Sequence, residues 1–243
     1  MNERYARRTI PFVLAASVAT YVAAARPAAT ASMATDCPPS SSRVLRLHVI
    51  NEASASPQTL DTAILETSAI WATAGLRLTW TFPPAPLDLT DNRTVVVMIQ
   101  RRLKRPPTLS AGASKGSALP LLGQVPFGED GPGNLIEVSF ETITSLVMGS
   151  SYLNTPVAKL PDYLQHVLLG RGLGRVLAHE LGHWIVGRGH MQEGLMRPTF
   201  GDRDLVEWNS SRLPPAWTAA GAGVLMARFS RCEPTIKMLA NTE

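Results

Sequence analysis

Alternating apolar and polar residues predict β-strands along much of the chain. In the first such segment Leu45, Leu47 and Val49 alternate with polar residues, as in a strand with one buried face. The segment 94–99 is apolar almost without interruption and predicts a strand buried on both faces. The predicted strands are 43–50, 76–82, 94–99, 118–125 and 135–140. The fourth contains a proline and is therefore expected at an edge of the sheet.

Apolar residues three and four positions apart predict helices between and after these strands. The predicted helices are 57–74, 161–186 and 215–229. Ser56 is placed to cap the first helix, and Gly75 follows its end. Three glycines between 170 and 174 weaken the middle of the second helix, so its principal part is expected to begin near Leu173. The third helix is amphipathic and lies close to the end of the chain.

The second predicted helix carries the motif His-Glu-x-x-His at 179–183. His179 and His183 are four residues apart, so both imidazoles lie on one face of the helix and can reach one metal ion. Glu180 lies beside the first ligand, where a carboxylate is suited to hold a water molecule rather than the metal. These residue types at this spacing indicate a zinc hydrolase site.

The loop after this helix offers a third metal ligand. Gly187 and Gly189 permit a tight exit from the helix, and a chain that turns there brings His190 back toward the metal. The alternative is Glu207, since a downstream glutamate completes the site in the thermolysin-like clan, and Glu193 is too close for that role. His190 is preferred because histidine is a common zinc ligand and the glycines provide a route to it.

A methionine before a proline follows the motif, in Gly-Leu-Met-Arg-Pro at 194–198. Together with the His-Glu-x-x-His motif, the glycine and the third histidine, it resembles the metzincin clan of zinc peptidases. The resemblance implies three zinc ligands, which are His179, His183 and His190. It also implies that Glu180 is the general base and that Met196 belongs to a methionine turn forming an apolar floor beneath the metal.

The match covers about 20 residues and departs from the pattern of the clan in its loop. That pattern is His-Glu-x-x-His-x-x-Gly-x-x-His. Here Val186 occupies the glycine position, and Gly187 and His190 each come one residue late. The loop between the second and third ligands is therefore one residue longer than in the clan.

The order of predicted elements is similar to that of the minimal catalytic domain of zincin peptidases. The resemblance implies an α+β, zincin-like fold in which a twisted mixed β-sheet packs on a backing helix and an active-site helix. A C-terminal helix completes the domain. In that fold an edge strand lines the cleft, and an extended peptide binds by adding a strand to it.

The first 34 residues predict a targeting segment. Three arginines precede an apolar run over 10–25, and small residues follow, as in a cleaved signal peptide. The alternative is a retained N-terminal anchor, because the run is long for a signal peptide and short for a membrane span. Residues 35–243 then form a single domain, and the protein is expected to be exported, either periplasmic or secreted.

The charge of the chain argues against a nucleic-acid partner. The formal charge is +4, but residues 1–34 contribute four basic residues and one acidic residue. The remaining chain carries 19 basic residues against 18 acidic ones. A nearly neutral domain implies no anionic partner.

The two cysteines, Cys37 and Cys232, are expected to form a disulfide that joins the two ends of the domain in an oxidising compartment. Their number excludes a structural zinc site made of cysteines. Cys37 as a latency ligand on the zinc, by analogy with metzincin pro-segments, is the weaker alternative. The surrounding Asp-Cys-Pro-Pro does not match the pattern of those segments.

These observations predict an exported zinc endopeptidase that acts as a monomer on peptide or protein substrates. Its membrane contact, if any, is limited to an uncleaved anchor. Two alternatives remain, a catalytically inactive zincin-fold binding protein and a zinc hydrolase that acts on a non-peptide acyl bond. Glu180 argues against the first of them, since a binding domain has no need for a general base at that position.

Overall fold

A computed structural model describes residues 43–87, 91, 93–103, 121–191 and 194–207 of the chain. The predicted targeting segment, both cysteines and the predicted helix 215–229 lie outside these residues. The signal peptide, the Cys37–Cys232 disulfide and the C-terminal helix therefore stay predictions. Within the described part, no helix combines the length and the apolar character needed to cross a bilayer.

The described residues form a mixed α/β fold around one mostly parallel sheet. The strands are β1 (Val44–Asn51), β2 (Arg77–Thr81), β3 (Thr94–Gln100), β4 (Gly123–Gln124), β5 (Phe127–Gly128), β6 (Gly131–Pro132), β7 (Leu135–Ser139), β8 (Ser151–Tyr152) and β9 (Thr155–Pro156). The main sheet has the order β2-β1-β3-β7-β4. Its first four strands are parallel, and β4 pairs antiparallel with β7 at the edge. The predicted mixed sheet is thus confirmed, and β4 lies at the edge where the proline-containing strand was expected.

Four α-helices accompany the sheet within the described residues. They are α1 (Pro57–Ala72), α2 (Phe140–Gly149), α3 (Asp162–Val186) and α4 (Asp202–Val206). The cap prediction for α1 is confirmed, since the Ser56 hydroxyl accepts a hydrogen bond from the Thr59 backbone N–H at 3.2 Å. Helix α2 was not predicted from the sequence. Helices α1 and α3 pack against each other and against the sheet, so the His-Glu-x-x-His motif lies in a helix fixed from several sides.

Helix α3 is continuous, so the prediction that its principal part begins near Leu173 is wrong. The glycines instead allow close packing. A Cβ on Gly170 would lie 2.6 Å from the Thr59 carbonyl oxygen, and one on Gly174 would lie 2.7 Å from the Ala63 carbonyl oxygen. The Thr67 hydroxyl also donates to the Gly174 carbonyl at 2.9 Å. Packing against α1 therefore offsets the weak helical propensity of these residues.

The core lies between the sheet and the two long helices. Its largest fully buried side chains are Trp71, Trp184, Arg175, Leu45, Leu47, Leu76, Ile99, Ile136, Ile143, Leu168, Leu173 and Leu181. Arg175 is the one charged member of this group. Its guanidinium pairs with Glu66 at 2.8 Å and donates to the Asp204 carbonyl at 2.6 Å. The ion pair and this hydrogen bond join α3 to α1 and α4, so the motif helix is held at a fixed position.

Candidate metal centre

Three histidines come together at the C-terminal end of α3. His179 and His183 lie one turn apart on the helix, and His190 returns from the loop that follows it. The Nε2 atom of His183 lies 3.1 Å from Nε2 of His179 and 3.1 Å from Nε2 of His190. One nitrogen of each ring lies within 4.8 Å of the others, so this group can hold a metal ion.

Backbone carbonyls fix the orientation of two of the rings. The Nδ1–H of His179 donates to the Leu195 carbonyl at 2.7 Å, and that of His183 donates to the Gly187 carbonyl at 3.0 Å. In a neutral imidazole the proton on Nδ1 leaves a lone pair on Nε2. The facing Nε2 lone pairs would repel each other unless a cation lay between them. A tetrahedral zinc with Zn–N of about 2.0–2.1 Å needs nitrogens about 3.3 Å apart, so this donor set fits the ion.

Burial keeps two of the imidazoles in the form that binds metal. Desolvation lowers the pKa of His179 from 6.5 to about 4, against the opposing effect of its hydrogen bond to Leu195. Burial also lowers the pKa of His183. Both rings are therefore neutral at pH 7 and can donate Nε2 lone pairs to a metal.

Glu180 lies buried beside the histidines, with 6% of its surface exposed. Burial raises the pKa of its carboxyl from 4.5 to about 8. The carboxyl packs against the edge strand β4, because a Cβ on Gly123 would lie only 2.6 Å from its Oε1. The absence of a side chain at Gly123 therefore allows Glu180 and the edge strand to share one wall of the site.

Met196 packs directly against the motif helix. A Cβ on Gly182 would overlap the Met196 sulfur, so the glycine between the two helical histidines makes room for it. The same turn supplies the Leu195 carbonyl that holds His179. The Met191 N–H donates to the Met196 carbonyl at 2.8 Å and closes the loop between the third histidine and this turn. Met196 thus provides an apolar support beside the two helical histidines.

Replacing Gly182 by alanine is expected to destabilise the protein by about 1–3 kcal/mol, because the added methyl group must displace Met196. Gly149→Ala at the end of α2 is the matched control, since nothing lies within 4 Å of a Cβ there. Denaturant unfolding of the two variants measures the difference. Equal stabilities of the two variants would show that Met196 does not occupy the space beside Gly182.

A cleft of about 470 Å³ opens in front of the histidines. Its walls come from the segment around β4, from α3, from the loop that carries His190 and from the segment after Met196. The lining residues are Leu121, Leu122, Gly123, Gln124, Val125, Phe127, Leu146, Val176, His179, Glu180, His183, Arg188, His190, Pro198, Thr199 and Phe200. The cleft is thus mainly apolar and has a few polar groups that converge at the histidines, as ligand sites commonly do.

The alternative ligand lies apart from this group. Glu207 follows α4 and faces the Arg203 side chain at 4.0 Å, and it is not among the residues that line the cleft. Glu193 lies outside the described residues.

Sequence reasoning missed the carbonyl partners of the histidines, the Gly123 contact and Arg188. A backbone carbonyl carries no side-chain signal, and the other two residues meet the site through tertiary packing alone.

Comparisons with known proteins give a distant structural similarity. No family model matches the sequence, and no curated protein matches it. Solved structures do match, among them the archaemetzincin from Methanopyrus kandleri. That match has a TM-score of 0.48 and 14% sequence identity, and it covers 80% of this chain and 100% of that chain. The function is therefore inferred from the geometry of the site.

Proposed function

We propose that this protein is an exported zinc-dependent endopeptidase with a zincin-like fold. The observation that carries the proposal is the meeting of three imidazole nitrogens beside a buried carboxylate in an open cleft. Three nitrogen ligands would hold zinc with fewer protein ligands than a structural site provides, as in catalytic zinc sites. In this proposal His179, His183 and His190 are the ligands.

Glu180 is the general base of the proposed reaction. Zinc held by the three histidines would supply Lewis-acid chemistry to a water molecule and to the scissile carbonyl. Glu180 accepts a proton from the attacking water and delivers it to the leaving amine. A neighbouring cation favours the ionised carboxyl, which opposes the effect of burial and makes Glu180 a base at neutral pH.

The substrate is proposed to be an extended peptide that lies along β4. Among the described strands β4 pairs only with β7, so no described strand occupies its other edge, where a peptide backbone is proposed to pair. Gly123 and Gln124 of β4 line the cleft next to Glu180. A peptide on this edge would place its backbone carbonyls beside the histidines. The protein is further proposed to act as a monomer outside the cytoplasm, with no nucleic-acid partner.

Zinc content and casein cleavage, measured together, test this proposal. The zinc-loaded protein is expected to cleave casein, to lose cleavage with a chelator and to regain it with added zinc. His190→Ala should lose most of its zinc and its cleavage, whereas the matched variant Glu207→Ala should keep both. Wild-type protein that binds zinc without cleaving casein would instead support a binding function. If Glu207→Ala loses its zinc and His190→Ala keeps it, Glu207 rather than His190 is the third ligand.

A further inference from the structure

Apart from the three imidazoles, the described lining of the cleft contains one basic side chain. This side chain is Arg188, which lies in the loop after α3, two residues before His190. Its Cζ lies 4.9 Å from the centre of the Phe127 ring. Phe127 belongs to the β5–β6 hairpin that follows β4 in the chain. The contact therefore connects the loop that carries His190 with the segment that follows the edge strand.

Stacking on Phe127 restricts the guanidinium without consuming its hydrogen-bond donors. A guanidinium above a ring still directs its N–H groups outward in its own plane, in the fork that pairs with a carboxylate. None of the ion pairs among the described residues includes Arg188, and the side chain is exposed. Its donors are thus open to a group bound in the cleft.

The other ionisable groups of the cleft do not cancel this charge. Glu180 is 6% exposed and faces Gly123, and the remaining titratable lining residues are the three imidazoles. The rest of the described lining is apolar or uncharged. Glu129 and Asp130 are exposed in the turn of the β5–β6 hairpin, but they are not among the lining residues. Within the described lining, Arg188 therefore meets no carboxylate except the buried Glu180.

We infer that Arg188 makes this cleft select substrates that carry a carboxylate near the cleavage point. The carboxylate is either an acidic side chain or the free C-terminus of a short peptide, since the guanidinium pairs with both in the same way. The inference builds on the proposed function and adds the chemical class of the preferred substrate.

Paired peptides that differ only in Glu against Gln at one position test the inference. For the position at which the carboxylate can reach Arg188, the wild-type protein is expected to cleave the Glu peptide with a kcat/KM about 3- to 10-fold above that of the matching Gln peptide. Arg188→Leu should remove the preference, and Arg188→Glu should reverse it. Arg77→Glu changes an exposed residue of β2, at the opposite edge of the sheet, by the same charge and should leave the ratio intact. C-terminally amidated and free-acid versions separate the two sources of the carboxylate.

Binding provides a readout that does not need turnover. In the zinc-loaded Glu180→Gln variant, the Kd of the preferred Glu peptide should be about 3- to 10-fold lower than that of the Gln peptide, and added Arg188→Leu should equalise them. Equal Kd values and equal kcat/KM values in the presence of Arg188, for amidated and free peptides alike, would overturn the inference while the proposed function stands. If no peptide is cleaved, the proposed function fails, and the Kd ratio still decides the role of Arg188.

Discussion

Replacing Glu180 by glutamine is expected to lower kcat/KM for peptide cleavage by about 10²–10⁴-fold while the zinc content stays unchanged. Glutamine has the same size and fits the same space against Gly123, but it cannot accept a proton. The orientations of His179 and His183 are independent of this change, because their carbonyl partners are Leu195 and Gly187 rather than Glu180. Steady-state kinetics and metal analysis of the same preparation measure both quantities.

Two control variants test whether the loss of kcat/KM is specific to Glu180. His183→Ala should lose both zinc and cleavage, because it removes a nitrogen that lies 3.1 Å from each of the other two. Glu52→Gln makes the same chemical change on an exposed residue after β1 and should leave kcat/KM at the wild-type value. A Glu180→Gln variant that cleaves as fast as the wild type would show that Glu180 is not the general base and would contradict the proposed mechanism.

The second large effect is expected in the stability of the metal-free protein as a function of pH. The pKa of Glu180 is about 8 in the folded protein against 4.5 for an ordinary glutamate, so the folded state favours the uncharged carboxyl. Its contribution to stability is fully present below about pH 4.5 and is lost as the pH rises to about 8. The pKa difference corresponds to a loss of roughly 3–5 kcal/mol in the free energy of unfolding.

Denaturant unfolding of chelator-treated protein at pH 5 and pH 8 measures this loss. The contribution of Glu180 should lower the free energy of unfolding of the wild type between pH 5 and pH 8. Glu180→Gln should not show this loss, because its amide does not titrate. Zinc should suppress the loss in the wild type, since an adjacent cation stabilises the ionised carboxyl. Identical pH dependence of the metal-free wild type and variant would show that Glu180 is solvated rather than buried.

His179 contributes with the opposite sign at lower pH. Burial lowers its pKa to about 4, so the folded state favours the neutral ring. This contribution is present above about pH 6.5 and is lost as the pH falls toward 4. The two windows overlap between about pH 4.5 and 6.5, where the opposing effects offset each other, so the metal-free protein should be most stable in that interval.

The local pattern of the chain was sufficient to predict most strands and the first helix. The alternation of Leu45, Leu47 and Val49 requires one buried face, and the structure buries all three. Helix α2 could not be predicted in this way, because its sequence is rich in β-branched residues with weak helical propensity. It forms where Ile143 and Val147, one turn apart, are both buried in the core. Tertiary burial thus decided a segment in which local preference was weak.

The glycines of α3 show the same limit in a different way. By propensity alone Gly170 and Gly174 weaken a helix, and the sequence therefore predicted a late start near Leu173. In the folded chain the backbone of α1 lies close to these residues, since a Cβ on Gly170 or Gly174 would lie 2.6 Å or 2.7 Å from a carbonyl oxygen of α1. The helix is continuous because packing between segments a hundred residues apart outweighs the local cost.

The sequence by itself determined the spacing of His179, Glu180 and His183, because positions four residues apart on one helix share a face wherever the helix lies. Only the tertiary structure decided how the rest of the site closes around them. The return of His190, the Leu195 carbonyl on His179 and the approach of Gly123 to Glu180 each join separate segments. Backbone geometry sets the helical spacing of the motif residues. The contacts between separate segments depend on the burial of a shared core, which no short stretch of residues encodes.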